Sequence, residues 1–141
     1  MVIVAAVDRS DRADTVIKQA KVLAEAFADT IHVVHVLSTS EFVNLGRTKA
    51  KEGDPIDMES VKNVASNISE EAAEPLSRPF EAVGLMGNPS DEIVNYADEQ
   101  DARYIVVAGR KRSPTGKAIF GSVNQSILLN SECPVVMSTD N

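Results

Sequence analysis

The run Val106-Val107-Ala108-Gly109-Arg110-Lys111-Arg112-Ser113-Pro114-Thr115-Gly116-Lys117, closed by Gly121-Ser122, reads as an apolar strand that empties into a basic, glycine-punctuated loop and then a helix beginning on a small polar residue. Anion binding is the chemistry that such an order suits. The first turn of a helix leaves backbone N–H groups unpaired and carries the positive end of the macrodipole, so Gly121 and Ser122 present donors where an anion can come close. Arg110, Lys111, Arg112 and Lys117 are four of the 14 cationic side chains and fall within eight residues, in a chain of formal net charge -7. A compact basic island on an acidic molecule suits a small anion such as a nucleotide and disfavours a long polyanion. A solvated surface loop is the plainer reading of the same residues, and the strand-loop-helix setting is what favours phosphate.

Asp8 directly follows the first apolar run, which places its carboxylate at a strand end. There it can accept a hydrogen bond from a base, hold a metal, or act as a turn or cap. Other chemistries find no support. Gly116-Lys117 invites a Walker reading, but Lys111 stands where the first glycine is needed and Ala118 replaces the magnesium-binding hydroxyl. Asp8-Arg9-Ser10-Asp11-Arg12 contains no glycine, so the dinucleotide fingerprint is missing too. His32 and His35 are three apart on a strand and point to opposite faces, which prevents them from chelating one metal together. No histidine stands beside Ser113 or Ser122 in a nucleophile-elbow pattern.

The elements that must position these groups alternate regularly. Val2 to Val7 is a continuous apolar run, as in a strand buried on both faces of a parallel sheet. Residues 12 to 27 place Val16, Ala20, Leu23, Ala24 and Phe27 on one helical face, with Ser10 and Asp11 as caps. Ile31 to Leu37 is again strand. From Ser38 to Pro55 no period holds, and Gly46, Gly53 and Pro55 predict a long loop. Met58, Val61, Ala65, Ile68 and Ala72 mark a helix that ends before Pro75 to Pro79. Phe80 to Met86 alternates more than the other strands, which predicts a place near a sheet edge. Gly87-Asn88-Pro89 turns the chain into a helix capped by Ser90, with Asp91 and Glu92 in its first turn and Ile93, Val94 and Ala97 inside. Tyr104 to Ala108 is the fourth strand. Ser122 to Gln125 has capping-box spacing for a helix through about Leu129, and Val135-Val136-Met137 is a short last strand. The resulting order, β-α-β-α-β-α-β-α-β, implies an α/β fold: a parallel sheet with helices on both faces and a ligand crevice beyond the carboxyl ends of its strands.

Composition sets the frame. A chain of 141 residues that is 43% hydrophobic is the size of one domain, taken here as residues 1–141. Cys133 is the single cysteine, so no internal disulfide can form. Met1 to Val7 meets Asp8 too soon for a signal sequence or a membrane span, and a cytoplasmic setting is expected. With no Trp and 4% aromatics the chain offers no stacking platform for single-stranded nucleic acid, and its acidity argues against nucleic acid or a membrane as partner.

Taken together, the strand ending in Val7-Asp8, the strand His32 to Leu37, the turn Gly87-Asn88-Pro89-Ser90-Asp91-Glu92-Ile93, the strand Tyr104 to Ala108 and the closing Gly121-Ser122-Val123-Asn124 with Cys133-Pro134-Val135-Val136 resemble the universal stress protein family over nearly the whole chain. The resemblance implies a Rossmann-like open five-stranded parallel sheet of order 3-2-1-4-5, and a homodimer formed through the last strand. In nucleotide-binding members of that family a G-x2-G-x9-G-[ST] pattern holds the phosphates, while the aspartate after the first strand and the backbone of the second hold adenine. Carried onto this chain, it implies an adenine-nucleotide site, with ATP as ligand and Mg2+ as an optional companion, at Val7, Asp8, Val36, Gly109, Gly121, Ser122, Val123 and Asn124. The basic loop adds Arg110, Arg112, Gly116 and Lys117. Arg112 stands where the second glycine of the pattern belongs, and the loop is one residue shorter. Two consequences compete: side-chain charge replaces backbone approach to phosphate, or Arg112 fills the pocket. Three functions follow from the resemblance. The first is a nucleotide-binding stress protein that acts as sensor or adaptor, the second a protein-interaction dimer of the same fold without nucleotide, and the third a slow ATPase or self-phosphorylating protein.

Overall fold

A computed structural model of the chain describes residues 1–10, 12–53, 58–109 and 121–139. The apolar runs are strands and the periodic segments helices, in the order β1 (Val2–Ala6), α1 (Ala13–Phe27), β2 (Thr30–Leu37), α2 (Thr39–Glu52), α3 (Met58–Ala73), β3 (Phe80–Met86), α4 (Pro89–Glu99), β4 (Ala102–Gly109), α5 (Gly121–Asn130) and β5 (Val135–Thr139). Every pairing is parallel and the sheet order is β3-β2-β1-β4-β5. This is the order the resemblance implies, and β3 lies at an edge as its alternation predicts. Because the chain moves outward from β1 in both directions, a crevice opens where the crossovers diverge, at the carboxyl ends of β1, β2 and β4.

Side-chain alternation along the strands builds a core on each face. Ile3, Ala5, Ile31, Val33 and Val106 pack against Val16, Ile17, Ala20 and Ala24 of α1. On the other face Val4, Val34, Val36, Ile105 and Val107 meet Ile93, Val94 and Ala97 of α4 and Ile127 of α5. β3 receives α3 at close range: a Cβ on Gly84 would lie 2.5 Å from the Lys62 carbonyl oxygen and from the Ser66 amide nitrogen. Ser69 Oγ then donates to the Val83 carbonyl at 2.8 Å.

Several local expectations are corrected. Residues 38–55, expected as a loop, contain α2. Its start is a capping box in which the Glu41 amide donates to Ser38 Oγ at 3.3 Å and Ser38 donates back to Glu41 Oε1 through its hydroxyl at 3.2 Å and its amide at 3.5 Å. Phe42 and Leu45 of this helix pack against Leu37 and Val61. Pro55 lies outside the described residues. α4 is capped by Asn88 rather than Ser90, for Asn88 Oδ1 accepts from the Asp91 amide at 3.2 Å and Ser90 Oγ spends its proton on the same oxygen at 2.9 Å. At the start of α1, Ser10 receives the Ala13 amide on its carbonyl and the Arg12 amide on its hydroxyl, so it shapes the entry turn without occupying the N-cap position; Asp11 lies outside the described residues. α5 already includes Ser122 in its first turn, so Ser122 does not precede the helix as the capping-box spacing required. Phe27, expected on the buried face of α1, is 42% exposed and lies under the Arg103 guanidinium, 4.3 Å from its ring centre.

Candidate functional site

The carboxyl ends of β1, β2 and β4 and the starts of α1, α4 and α5 enclose a cavity of about 480 Å³. Val36, Ile93, Val107 and Ile127 give it an apolar surface, which exposed Asp8 and Ser122 and buried His35 complement with polar groups. Such a surface accepts a flat ring inside and charge at the mouth. Of the residues singled out from the sequence, Val7, Asp8, Val36, Gly121, Ser122, Val123 and Asn124 all line it. Arg110, Arg112, Gly116 and Lys117 lie outside the described residues.

The first strand brings Val7 and Asp8. The Val7 amide donates to the Val34 carbonyl at 2.9 Å, which continues the ladder past the end of β1. Asp8 Oδ1 accepts from the Ser10 amide at 2.8 Å and from Ser10 Oγ at 2.5 Å, while Oδ2 is 3.9 Å from an Arg12 guanidinium nitrogen. The carboxylate is thus an Asx-turn acceptor that bends the chain from β1 into α1. Its other oxygen keeps acceptor capacity at the rim.

Phosphate chemistry would belong to the start of α5. Asn124 Nδ2 donates to the Ala108 carbonyl at 2.6 Å and so ties the first turn of that helix to the end of β4. Gly121 has φ +73°, a left-handed conformation that L side chains rarely adopt, and among the described residues no heavy atom lies within 4 Å of where its Cβ would be. Open space above a helix start is what close approach of an anion requires. Gly109 differs: a Cβ there would lie 2.5 Å from Met137 Sδ, so packing between β4 and β5 accounts for that glycine.

Three polar side chains in the lining were not among the expected site residues: Arg12, His35 and Glu41. Arg12 belongs to the entry of α1. Glu41 depends on α2, and the Ser38-Thr39-Ser40-Glu41 spacing was the signal that would have revealed both helix and carboxylate. The two histidines do point to opposite faces, and they differ in kind. His32 is fully occupied: Nδ1 is 2.7 Å from Tyr96 Oη, and Nε2 is 3.3 Å from Glu81 Oε2. Burial, with Glu81 next in weight, pushes the Tyr96 phenol above its ordinary value, which keeps its hydroxyl protonated beside His32. His35 Nδ1 is 2.9 Å from the Val7 carbonyl, which can only accept. Its Nε2 is buried without a hydrogen-bond partner among the described residues and lies 3.5 Å from Glu41 Oε2.

Comparison with known proteins fits this arrangement. The model of the universal stress protein family matches residues 1–138. A universal stress protein of Methanocaldococcus jannaschii is 27% identical over 142 residues, spanning 96% of this chain and 79% of the relative. The structure of a universal stress protein from Archaeoglobus fulgidus is 37% identical, covers 98% of each chain and superposes with a TM-score of 0.66. A universal stress protein from the same organism in complex with dAMP is 27% identical, with 98% and 97% covered and a TM-score of 0.59.

Proposed function

This chain belongs to the universal stress protein family, and from that premise we propose that it binds an adenine nucleotide, ATP in the first place, and acts as a stress-response sensor or adaptor. The observation that carries the proposal is the cavity of about 480 Å³ whose apolar floor meets the open start of α5 at Gly121. A base fits the floor, between the ends of β1 and β2, with Val7, Asp8 and Val36 along its edges. Phosphates fit over the Gly121 to Asn124 turn, where the first-turn amides and the helix dipole favour negative charge. Arg110, Arg112 and Lys117, with Gly116 among them in the sequence, supply the remaining countercharge, and Mg2+ accompanies the phosphates. The dAMP complex of a relative supports a nucleotide in a site of this family's fold.

Calorimetry of the purified protein with ATP, with and without Mg2+, tests the reading. Saturable heat, together with an adenine nucleotide released on denaturation and identified by mass, is the expected result. Absence of heat at millimolar ATP would remove the nucleotide and leave the protein-interaction dimer. That second reading has its own support in the half-buried Val135, Val136 and Met137 of β5 and the exposed Leu128 and Leu129 of α5. No helix among the described residues is long and apolar enough to cross a membrane, and the setting proposed is the cytoplasm.

A further inference from the structure

A second concavity, of about 590 Å³, lies between the entry turn of α1 and α3, on the sheet face that these two helices share. Val64, Ile68 and Ala72 follow one another along α3 at a spacing of four and line it. Ile68 is buried and the other two are half-buried, so α3 keeps a narrow apolar stripe that the fold covers only in part. Carboxylates border the stripe from both sides: Asp8 and Asp14 from the start of α1, Glu71 from α3. Arg9 is the cation of the lining, which leaves the groove acidic. Asp14 and Glu71 are exposed and have no ion pair among the described residues. Glu71 is also placed against its own helix. It stands in the last turn of α3, where the negative end of the dipole disfavours a carboxylate, and that turn contains no basic residue.

We propose that this groove docks a basic amphipathic helix of a partner protein, with the partner's apolar stripe on Val64 and Ala72 and its Lys or Arg side chains beside Asp14 and Glu71. The proposal rests on the adaptor reading above, for which it names the docking surface, and needs no nucleotide in the cavity. An apolar stripe with cations on both flanks is the complement of an apolar stripe with carboxylates on both flanks. A cation over the last turn of α3 meets Glu71 and the negative end of the helix dipole together. The groove also adjoins the nucleotide site, since Asp8 and Ala13 line both concavities. A partner seated there rests against the turn that borders the cavity, which is where an adaptor's surface belongs.

Fluorescence anisotropy of the full chain with a labelled amphipathic Leu/Lys peptide of about 15 residues, long enough to form a helix, tests the proposal. Saturable binding is expected, and it should be lost when the leucines are replaced by serine or the lysines by glutamate. Equal binding of the Ser/Lys peptide would show diffuse attraction to an acidic molecule and overturns the proposal. Glu71→Lys should weaken the Leu/Lys peptide roughly tenfold, because an attractive exposed pair becomes a repulsive one. Lysine suits the end of a helix, so this variant should be at least as stable as wild type in thermal melts. Glu99→Lys makes the same charge change at an exposed position of α4, across the sheet, and should leave the affinity nearly as it was. Equal losses in the two variants would again mean net charge alone and overturn the proposal. A Glu71→Lys change that turns a wild-type dimer into a monomer in light scattering would assign the groove to a second copy, and also overturns it. Absence of peptide binding removes the docking site whatever calorimetry shows for ATP; peptide binding by a protein that gives no heat with ATP keeps the docking site and removes the nucleotide.

Discussion

Asp29, 3% exposed at the amino-terminal end of the sheet, holds together elements that are distant in sequence. Its Oδ2 accepts from Arg103 Nε at 2.6 Å, its Oδ1 from the Met1 ammonium at 3.1 Å, and its carbonyl from Arg78 at 3.0 Å. The Arg103 hydrogen bond, opposed by burial and aided by the ammonium, holds the carboxyl below its ordinary value. A carboxylate with a folded pKa below its unfolded one contributes stability that is complete above the unfolded value and is lost as pH falls through the folded one. Chemical denaturation across pH should therefore give a plateau down to about pH 5 and a fall below it. Asp29→Asn should lower the plateau and make the acid limb shallower. Asp8 is a different kind of acidic residue, exposed and engaged with its own turn. Asp8→Ala should cost about 1 kcal/mol, as for the loss of a capping acceptor, and should weaken ATP binding in calorimetry; an unchanged ATP affinity would leave Asp8 as a turn residue alone. At Gly121 the two demands on glycine can be separated. Gly121→Val should destabilise by about 1–2 kcal/mol, because a branched residue resists the left-handed conformation. Gly121→Asn tolerates that conformation, so in thermal melts it should stay near wild type while calorimetry records weaker nucleotide binding.

Among the elements, those legible in the sequence were the ones whose burial is extreme. β1, β2 and β4 are covered on both faces, so they appear as largely apolar runs, and the ends of β1 and β4 pointed to Asp8 and to the start of α5, while Val7 and Val36 came from the family resemblance. α2 was not legible by the same rule, because it is a polar helix that packs little more than Phe42 and Leu45 against Leu37 and Val61. Hydrophobic period cannot find a helix that buries so few side chains, and its true signal, the Ser38 to Glu41 cap, is local hydrogen bonding. Missing α2 also meant missing Glu41, and without Glu41 the distinction between His32 and His35 had nothing to rest on. Ser38→Ala removes the hydroxyl that accepts the Glu41 amide and donates to Glu41 Oε1, leaving only the backbone amide half of the box, and should destabilise by about 0.5–2 kcal/mol, with hydrogen exchange accelerated in α2 first. The α3–β3 contact was invisible for another reason, since Gly84 looks like any strand glycine until α3 lies on it. Its neighbours there are backbone atoms that cannot turn away. Gly84→Ala should therefore cost about 1–3 kcal/mol, the range for overpacking, in equilibrium denaturation, and more if α3 lifts from the sheet.

At the scale of the whole molecule the sheet has two edges, and they are managed differently. β3 carries α3 packed across Gly84, with Ser69 Oγ donating to the Val83 carbonyl, whereas β5 pairs with β4 on one side and follows α5, whose Leu128 and Leu129 are 49% and 74% exposed. An uncovered edge with apolar side chains nearby invites pairing with a second copy, which would add main-chain hydrogen bonds and bury those leucines. The predicted assembly is thus a homodimer through β5, compatible with either reading of the cavity because β5 contributes no residue to its lining. A charge is the natural probe, and where it is placed matters. Val136 also packs into the core shared with α1, so Val136→Lys tests the fold together with the interface. Leu129→Asp touches the exposed face alone and is the sharper variant. Light scattering should give a dimer for wild type and shift toward the 15.1 kDa monomer for Leu129→Asp, with circular dichroism and ATP affinity unchanged. A wild-type protein that is monomeric at high concentration would end the idea, and a Leu129→Asp protein that stays dimeric would move the interface away from the α5 side of β5.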